Sequence, residues 1–440
     1  MTGGVAPAVG LAFLMLLVEA ALTTRRPGRA EPGPAATASL RGGLLCLFAL
    51  AVHFRVLDGS ARYLGAAAYL SLAAATSLAS WLVARRRARP TRRRSTAHVL
   101  AGGGLRGFAA LLAVTPALLF PQGTGPLHPS GALAVERATV TLTDPGRDDP
   151  YRKEPTKRTV TVGLWYPAAT PGAAPTRRPL VVFSHGGLGV LKSNESLYLE
   201  LASRGYVVAA VGHTYQALYV REASGALRWF NLAYLRELQR EDAKADPAAS
   251  LARYREWLGV RTGDLEFVID SLTGGRPAPA GAGPALAQVR AAVDPRRVGV
   301  AGHSLGGAAA LSLGRNRRDV RAVVALEAPM LGDLVGVRDG EFVLAREPYP
   351  APVLNVYSDA TWSRLDELPQ YAGNVRLLTV GPATVVNHHV VGANHLSLTD
   401  LGLTSPLLTR WLGGRQTTPA AQALEEVGRM TLAFLDETLR

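Results

Sequence analysis

An apolar strand, a glycine-rich turn and a helix follow one another in residues 296–313, and no other segment constrains the fold as strongly. The turn reads GHSLGG, in which Gly302 and Gly306 are small where any side chain would crowd a sharp strand-to-helix turn. A serine hydroxyl at such a turn stands clear of its neighbours, so Ser304 is the candidate nucleophile. The alternative is an ordinary glycine-rich turn, but the flanking strand and helix favour a nucleophile.

Strand and helix patterns alternate through the carboxyl-terminal part of the chain. After a strand pair at 138–143 and 159–166, buried strands are predicted at 179–183, 206–211, 297–301, 320–326, 352–357 and 383–391. Alternation of this kind indicates an α/β domain with a mostly parallel sheet and helices on both faces, which we assign to residues 137–440. Residues 214–262 mix aromatic and charged side chains and are predicted to form a cap insertion, with a solvated helix pair as the alternative.

The amino-terminal part has a different character. Four apolar runs, at 5–22, 43–57, 63–83 and 99–120, are each near the roughly 20 residues that a bilayer crossing needs. Residues 1–120 are therefore predicted to form about four transmembrane helices, and the Gly- and Pro-rich residues 121–136 a linker. Arg106 in the fourth run opposes that span unless it faces other helices or water, and three spans would reverse the predicted side.

Arginines cluster in two of the connections between these runs. Between the first and second runs, and after the third, stand Arg25, Arg26, Arg29, Arg41, Arg85, Arg86, Arg87, Arg89, Arg92, Arg93 and Arg94. Positively charged connections stay in the cytoplasm, so four spans place both the amino terminus and the α/β domain outside. Frequent Ala, Arg and Gly suggest a GC-rich bacterial genome. The predicted location is the bacterial cell membrane, with the bilayer as a partner of residues 1–120 and the α/β domain on the extracytoplasmic side.

Charge and side-chain composition exclude several classes of protein. Residues 1–130 hold fourteen arginines against three acidic residues, which supplies eleven of the net charge of +14. The basic composition thus belongs to the membrane flanks and predicts no nucleic-acid partner. Cys46 is the only cysteine, so an intramolecular disulfide is impossible. The nine histidines lack the spacing of metal ligands, and we expect neither a metal nor another cofactor.

A serine nucleophile needs a histidine base and a carboxylate that orients it. When the chain order is serine, acid, histidine, the base must follow Ser304, and His395 is the best placed because it follows the last predicted strand in a loop. A surface-loop histidine is the alternative. Two acids compete for the third role: Glu327 ends the strand VVALEAP, and Asp359 ends PVLNVYSD. Both strand ends point toward the ligand edge of such a sheet.

The oxyanion of a tetrahedral intermediate needs backbone N–H donors that are already in place. The residue after the nucleophile, Leu305, supplies one. The glycine-rich loop SHGGLG follows the strand PLVVF and lets the backbone approach a substrate, so Gly187 is the candidate for the second donor.

Several segments together resemble the platelet-activating factor acetylhydrolase family of α/β-hydrolases, of the secreted and intracellular monomeric type. The matching segments are TGP in the linker, GLWYPA at 163–168, FSHGGLG at 183–189, LASRGYVVAAVGH at 201–213, GHSLGG, ALEAPM and ANHLSLTD. The resemblance covers roughly the last 320 residues and implies an α/β-hydrolase fold. In that family the strand that follows the nucleophile turn is followed by an aspartate in a Leu-Asp-x-x-Met context. Glu327 takes that place here, which favours it over Asp359, and His395 matches the family histidine.

The resemblance implies hydrolysis without a metal, of short or oxidised acyl chains from phospholipids or of small esters. The predicted function is therefore a membrane-anchored serine esterase that works through an acyl-enzyme on a small-molecule ester or phospholipid. A serine peptidase or thioesterase on the same fold is an alternative. Another is a membrane-anchored binding or assembly protein with an inactive hydrolase domain.

Overall fold

A computed structural model describes residues 5–23, 33–86, 96–169, 176–277, 283–380 and 384–440. The chain divides into two compact units. One comprises residues 1–125 with 404–408, and the other comprises residues 126–403 with 409–440.

Four long helices make up most of the first unit: α1 (Ala6–Thr23), α2 (Pro34–His53), α3 (Leu64–Arg86) and α4 (Thr96–Leu119). All four are long enough and apolar enough to cross a membrane. Small and apolar side chains such as Ala8, Met15 and Val114 are buried between the helices, whereas Phe13 and Leu72 are exposed on the outside. An apolar outer surface of this kind is compatible with lipid contact. Most of the arginines behind the predicted orientation lie in 24–32 and 87–95, outside the described residues.

A buried carboxylate joins these helices. Glu19 is 3% exposed and accepts two hydrogen bonds from Arg41, at 3.0 Å from Nε and 2.6 Å from Nη2. Arg106 donates to the same carboxylate at 3.1 Å, and so does the Tyr69 hydroxyl, also at 3.1 Å. The arginine inside the fourth apolar run is thus paired with an acid from another helix, which removes the objection that it raised against that span.

An eight-stranded sheet forms the centre of the second unit. Its strands are β1 (Val135–Asp148), β2 (Lys157–Pro167), β3 (Arg178–Ser184), β4 (Val207–Gly212), β7 (Val293–His303), β8 (Val320–Leu326), β11 (Val353–Ser358) and β12 (Val385–Val390). Two short hairpins lie outside it, formed by β5 (Tyr219–Arg221) with β6 (Leu227–Trp229) and by β9 (Leu334–Arg338) with β10 (Glu341–Leu344). The order across the sheet is β1-β2-β4-β3-β7-β8-β11-β12. In this sheet β2 runs antiparallel to both of its neighbours, β1 and β4, and the other neighbouring strands pair in parallel.

Helices cover both faces of the sheet. The helices that follow α4 along the chain are α5 (Glu195–Ser203), α6 (Leu232–Arg240), α7 (Pro247–Thr273), α8 (Gly283–Ala292), α9 (Leu305–Asn316), α10 (Asp359–Trp362), α11 (Ala372–Val380), α12 (Leu401–Thr404), α13 (Pro406–Gly413) and α14 (Ala420–Leu439). Of these, α7, α8 and α9 lie on one face, and α5 and α14 lie on the other. Along β3, Val182 packs into the core that includes α7, α8 and α9, and its neighbour Val181 packs into the core that includes α5 and α14. Successive strand residues face opposite sides, so a strand between two helical layers must be apolar throughout. The predicted sheet with helices on both faces is confirmed.

One long helix begins inside the predicted insertion. α7 starts at Pro247. Asp246 caps it by accepting a hydrogen bond from the Ala249 N–H, and proline is favoured at the first helical position. The first half of α7 therefore lies within the predicted insertion 214–262, together with the β5–β6 hairpin and α6.

Candidate functional site

Ser304 occupies the turn between β7 and α9 with φ 54° and ψ −126°. A side chain in this region of backbone space costs about 1–3 kcal/mol and persists where the surroundings enforce it. Neighbouring glycines make room for the turn. A Cβ atom on Gly302 would overlap the backbone of Gly306, and one on Gly306 would overlap the Ser184 carbonyl. The sharp strand-to-helix turn predicted from GHSLGG is therefore present, and Ser304 stands at it.

His395 begins a single 3-10 turn just after β12. The Asn394 side chain caps this turn by accepting hydrogen bonds from the Leu396 and Ser397 N–H groups, at 3.1 and 2.9 Å. The His395 side chain is 34% exposed, and its Nδ1 lies 3.9 Å from Oε1 of the fully buried Glu327. One side of the imidazole thus faces a carboxylate while part of the ring reaches solvent. The 3.9 Å separation is longer than a hydrogen bond.

Glu327 directly follows β8, with φ 49°. Its carboxylate accepts hydrogen bonds from the Ser358 N–H, at 2.5 Å, and from the Thr361 hydroxyl. Burial alone raises the pKa of this carboxyl, but His395 and these two donors more than offset burial and hold the pKa below its usual value. An ionised carboxylate in a fixed orientation beside His395 is the result.

Asp359, the other candidate acid, has different partners. Its carboxylate accepts hydrogen bonds from His389 Nε2 at 2.8 Å and from the Gly392 N–H at 3.0 Å. Half of its side chain is exposed. The structure thus brings Glu327 to His395 and pairs Asp359 with another histidine.

The predicted oxyanion donors lie on two adjoining segments. A Cβ atom on Gly186 would lie 3.4 Å from the Ser304 Cβ, so the loop after β3 passes directly beside the candidate nucleophile. Within the described part of the chain, neither the Gly187 N–H nor the Leu305 N–H has a hydrogen-bond acceptor. Leu305 is the first residue of α9, where helix geometry leaves N–H groups without an intrahelical partner. Both N–H groups can therefore serve as donors to an anion.

His303 is a further neighbour of the candidate site. Its ring packs on the His395 ring with centroids 4.5 Å apart. Its Nε2 also lies 3.0 Å from the His395 carbonyl oxygen. Burial, together with the nearby His395, holds the pKa of His303 well below its usual value. A neutral His303 thus packs against the loop that carries His395 and supports it. No motif in the sequence predicts this contact.

Part of the predicted insertion covers the loop beside Ser304. A Cβ atom on Gly187 would lie 3.6 Å from the Tyr234 hydroxyl and 3.6 Å from Leu238, both on α6. Tyr234 is buried and packs edge-on against Trp257 of α7, with ring centroids 5.8 Å apart.

No group of three or more His, Cys, Asp or Glu side chains in the described ranges is arranged to hold a metal ion.

Comparisons with solved structures find similar proteins. The structure is similar to the ferulic acid esterase from Streptomyces cinnamoneus, with a TM-score of 0.53 and 26% identity over 72% of this chain and 94% of that chain. It is also similar to a dienelactone hydrolase-like promiscuous phosphotriesterase from metagenomic libraries, with a TM-score of 0.43 and 17% identity over 70% of this chain and 100% of that one. The predicted α/β-hydrolase fold is confirmed.

A family model described as platelet-activating factor acetylhydrolase, isoform II, matches residues 167–440. The matched region is more than half of the chain, and it includes Ser304, Glu327 and His395. The chain therefore belongs to the platelet-activating factor acetylhydrolase, isoform II, family, whose members are ester hydrolases with an α/β-hydrolase fold.

Proposed function

We propose that this protein is a membrane-anchored serine esterase in which Ser304 is the nucleophile, His395 the general base and Glu327 the acid that orients it. The observation that carries the proposal is the combination of a strained serine between β7 and α9 with an ionised carboxylate 3.9 Å from a partly exposed histidine. Ser304, Glu327 and His395 follow β7, β8 and β12, which run parallel, so all three lie at the carboxyl ends of their strands, where ligands bind in open α/β folds.

The reaction begins when the Ser304 Oγ attacks the ester carbonyl carbon and its proton passes to His395 Nε2. The carbonyl oxygen becomes an oxyanion and accepts hydrogen bonds from the Leu305 and Gly187 N–H groups. When the intermediate collapses, the C–O bond to the alcohol breaks, and His395 returns the proton to the departing oxygen. An acyl-enzyme ester on Ser304 remains.

Water completes the cycle by the same steps. His395 takes a proton from the attacking water, a second oxyanion forms in the same donor site, and its collapse releases the carboxylic acid. Ser304 leaves with the proton from His395, so the enzyme returns to its starting state. Throughout, the Glu327 carboxylate stabilises the imidazolium that His395 becomes when it holds the proton.

The proposed substrate is a small carboxylic ester or the short acyl chain of a phospholipid. Family membership supports this class, and the similar ferulic acid esterase is an ester hydrolase by its description. The Leu238 side chain beside Gly187 offers an apolar contact that suits an acyl group. Four helices capable of crossing a membrane would keep the site near lipid.

Hydrolysis by the full-length protein in detergent micelles tests the proposal. Wild type and Ser304→Ala are assayed with p-nitrophenyl esters from acetate to octanoate, and with a matched thioester and anilide. We expect ester hydrolysis in the wild type, with a preference for short chains, and at least a thousandfold lower rate in Ser304→Ala with an unchanged melting temperature. Retained hydrolysis in Ser304→Ala would contradict the nucleophile, and preference for the thioester or anilide would replace the esterase with the corresponding alternative.

A further inference from the structure

A second serine, histidine and aspartate array lies beneath the loop that follows β3. The Ser184 Oγ is 2.8 Å from His213 Nε2, and His213 Nδ1 is 3.0 Å from the Asp264 carboxylate. Both are hydrogen-bond distances, as in the catalytic triad of a serine hydrolase. All three side chains, however, are fully buried. Because a substrate cannot reach the buried Ser184, the array can affect only the residues that it contacts.

Protonation of this array follows from its charges. Burial alone raises the pKa of Asp264, but the Arg158 charge and hydrogen bonds from His213 and Arg158 hold it well below its usual value. Burial and the nearby Arg261 lower the pKa of His213 to about 4. A neutral His213 donates a hydrogen bond from Nδ1–H to Asp264, and its Nε2 accepts a hydrogen bond from the Ser184 hydroxyl. Ser184 Oγ then presents a lone pair to Arg261 Nη1, 3.3 Å away.

Arg261 connects the array to the loop. The residue is fully buried, and its Nε donates to the Gln216 side-chain oxygen at 2.7 Å. Its Nη1 donates to the His185 carbonyl, and its Nη2 donates to the Gly186 carbonyl at 3.3 Å. The guanidinium is planar and its donors have fixed directions. Because Gln216 holds one side of the Arg261 guanidinium, its other side fixes the positions of the His185 and Gly186 carbonyls.

The Gly186 carbonyl and the Gly187 N–H belong to one peptide unit. In a planar trans peptide these two groups point in opposite directions. The Gly186 oxygen is turned into the core, where it also accepts from the Gly189 N–H at 3.0 Å and lies 2.8 Å from His185 Nδ1. The Gly187 N–H is consequently turned the other way. Hydrogen bonds to the carbonyl also polarise the peptide and strengthen its N–H as a donor.

We propose that Arg261, held by the Ser184–His213–Asp264 array, is a positioning residue that keeps the Gly187 N–H directed at the oxyanion of the ester intermediate. This inference rests on the proposed function. Arg261 does not touch substrate; it acts through the peptide unit between Gly186 and Gly187.

A comparison of oxygen esters with thionoesters tests this role in the full-length protein. Sulfur accepts hydrogen bonds more weakly than oxygen, so the ratio of kcat for the two substrates reports how well the oxyanion donors are placed. Loss of one oxyanion donor costs roughly 10²–10³ in kcat, and a misdirected donor should cost part of this. We expect Arg261→Gln to lower kcat for the oxygen ester about 10- to 100-fold, with KM within about threefold. The ratio should fall about tenfold, and Arg261→Lys should restore part of it.

Arg147 provides a matched control. It also binds Asp264, at 2.9 Å from Nη2, but none of its described hydrogen bonds reaches residues 185–189. Arg147→Gln should leave the oxygen-to-thionoester ratio unchanged. If Arg261→Gln does not fold, as judged by circular dichroism, Ser184→Ala tests the same link by removing one hydroxyl. It should lower the ratio about threefold.

The outcomes separate this inference from the proposed function. Unchanged kcat and an unchanged ratio in a folded Arg261→Gln or, failing that variant, in Ser184→Ala would overturn the positioning role while leaving the esterase intact. A wild type without Ser304-dependent ester hydrolysis would overturn the proposed function and this inference with it.

Discussion

Glu327 and Asp359 follow adjacent parallel strands, yet their carboxylates lie in different surroundings. Glu327 is buried, accepts two hydrogen bonds and faces His395, whereas Asp359 is half exposed and bound to His389. Residue positions alone could not separate them, because both strand ends point to the same edge of the sheet. The positive φ at Glu327 and the donors Ser358, at the end of β11, and Thr361, just after it, direct its side chain, and neither feature is evident from the sequence.

Replacement of Glu327 by Gln tests its role directly. The pKa of Glu327 lies below its usual value, so the residue is charged at neutral pH and its substitution by Gln removes a full negative charge beside His395. Without that charge the imidazolium that forms during the reaction loses stabilisation. We expect kcat for p-nitrophenyl butyrate to fall roughly 10²- to 10⁴-fold with little change in KM.

Asp359→Asn is the matched control for this measurement. The substitution keeps an oxygen acceptor at a half-exposed position, and we expect kcat within about threefold of the wild type. A large loss in Asp359→Asn with near-normal activity in Glu327→Gln would exchange the two assignments. Thermal unfolding of both variants, followed by circular dichroism, separates lost chemistry from a lost fold.

Among the secondary structure elements, the buried strands were the most predictable. A strand covered by helices on both faces must be apolar throughout, so PLVVF at 179–183 indicated β3 (Arg178–Ser184) almost residue for residue. Contacts between distant elements were not predictable. His213 and Asp264 are 51 residues apart, and Arg106 is 87 residues from its partner Glu19. Periodicity along a segment predicts which face of the element is buried, but it does not predict which residue a buried polar side chain will contact.

Pairing among the four long helices yields a prediction at this scale. Glu19 is the carboxylate that both Arg41 and Arg106 bind, so Glu19→Gln leaves two guanidinium groups without a counter-charge among apolar helices. Removing one partner from a buried ion pair costs about 3–5 kcal/mol. We expect a marked fall in the melting temperature of the detergent-solubilised protein and a lower yield in membranes.

A double variant provides the control for that prediction. Arg41→Gln removes one of the two cations, so Glu19→Gln combined with Arg41→Gln should destabilise the protein by less than the two single changes added together. Additive losses would contradict a direct ion pair between the helices. Thr76→Ala, on an exposed position of α3, serves as a reference that should change the melting temperature little.

For the molecule as a whole, an even number of crossings puts both ends on one side of a membrane. Four helices have the required length and composition, and the arginine-rich connections at 24–32 and 87–95 favour the cytoplasm. The unit that contains Ser304 follows α4 and should then face outward. In that position the proposed esterase would act on extracytoplasmic esters or on the outer lipid leaflet.

Cysteine labelling in intact cells tests this orientation, because Cys46 is the only native cysteine and can be removed as Cys46→Ser. In that background, Ser224→Cys places a thiol on the exposed turn between β5 and β6. A membrane-impermeant maleimide should label it without permeabilisation. Thr91→Cys, in the second arginine-rich connection, should react only after the membrane is opened. If the fourth run does not cross, the Ser304 unit lies in the cytoplasm together with the arginine-rich connection, and neither thiol should react until the membrane is opened.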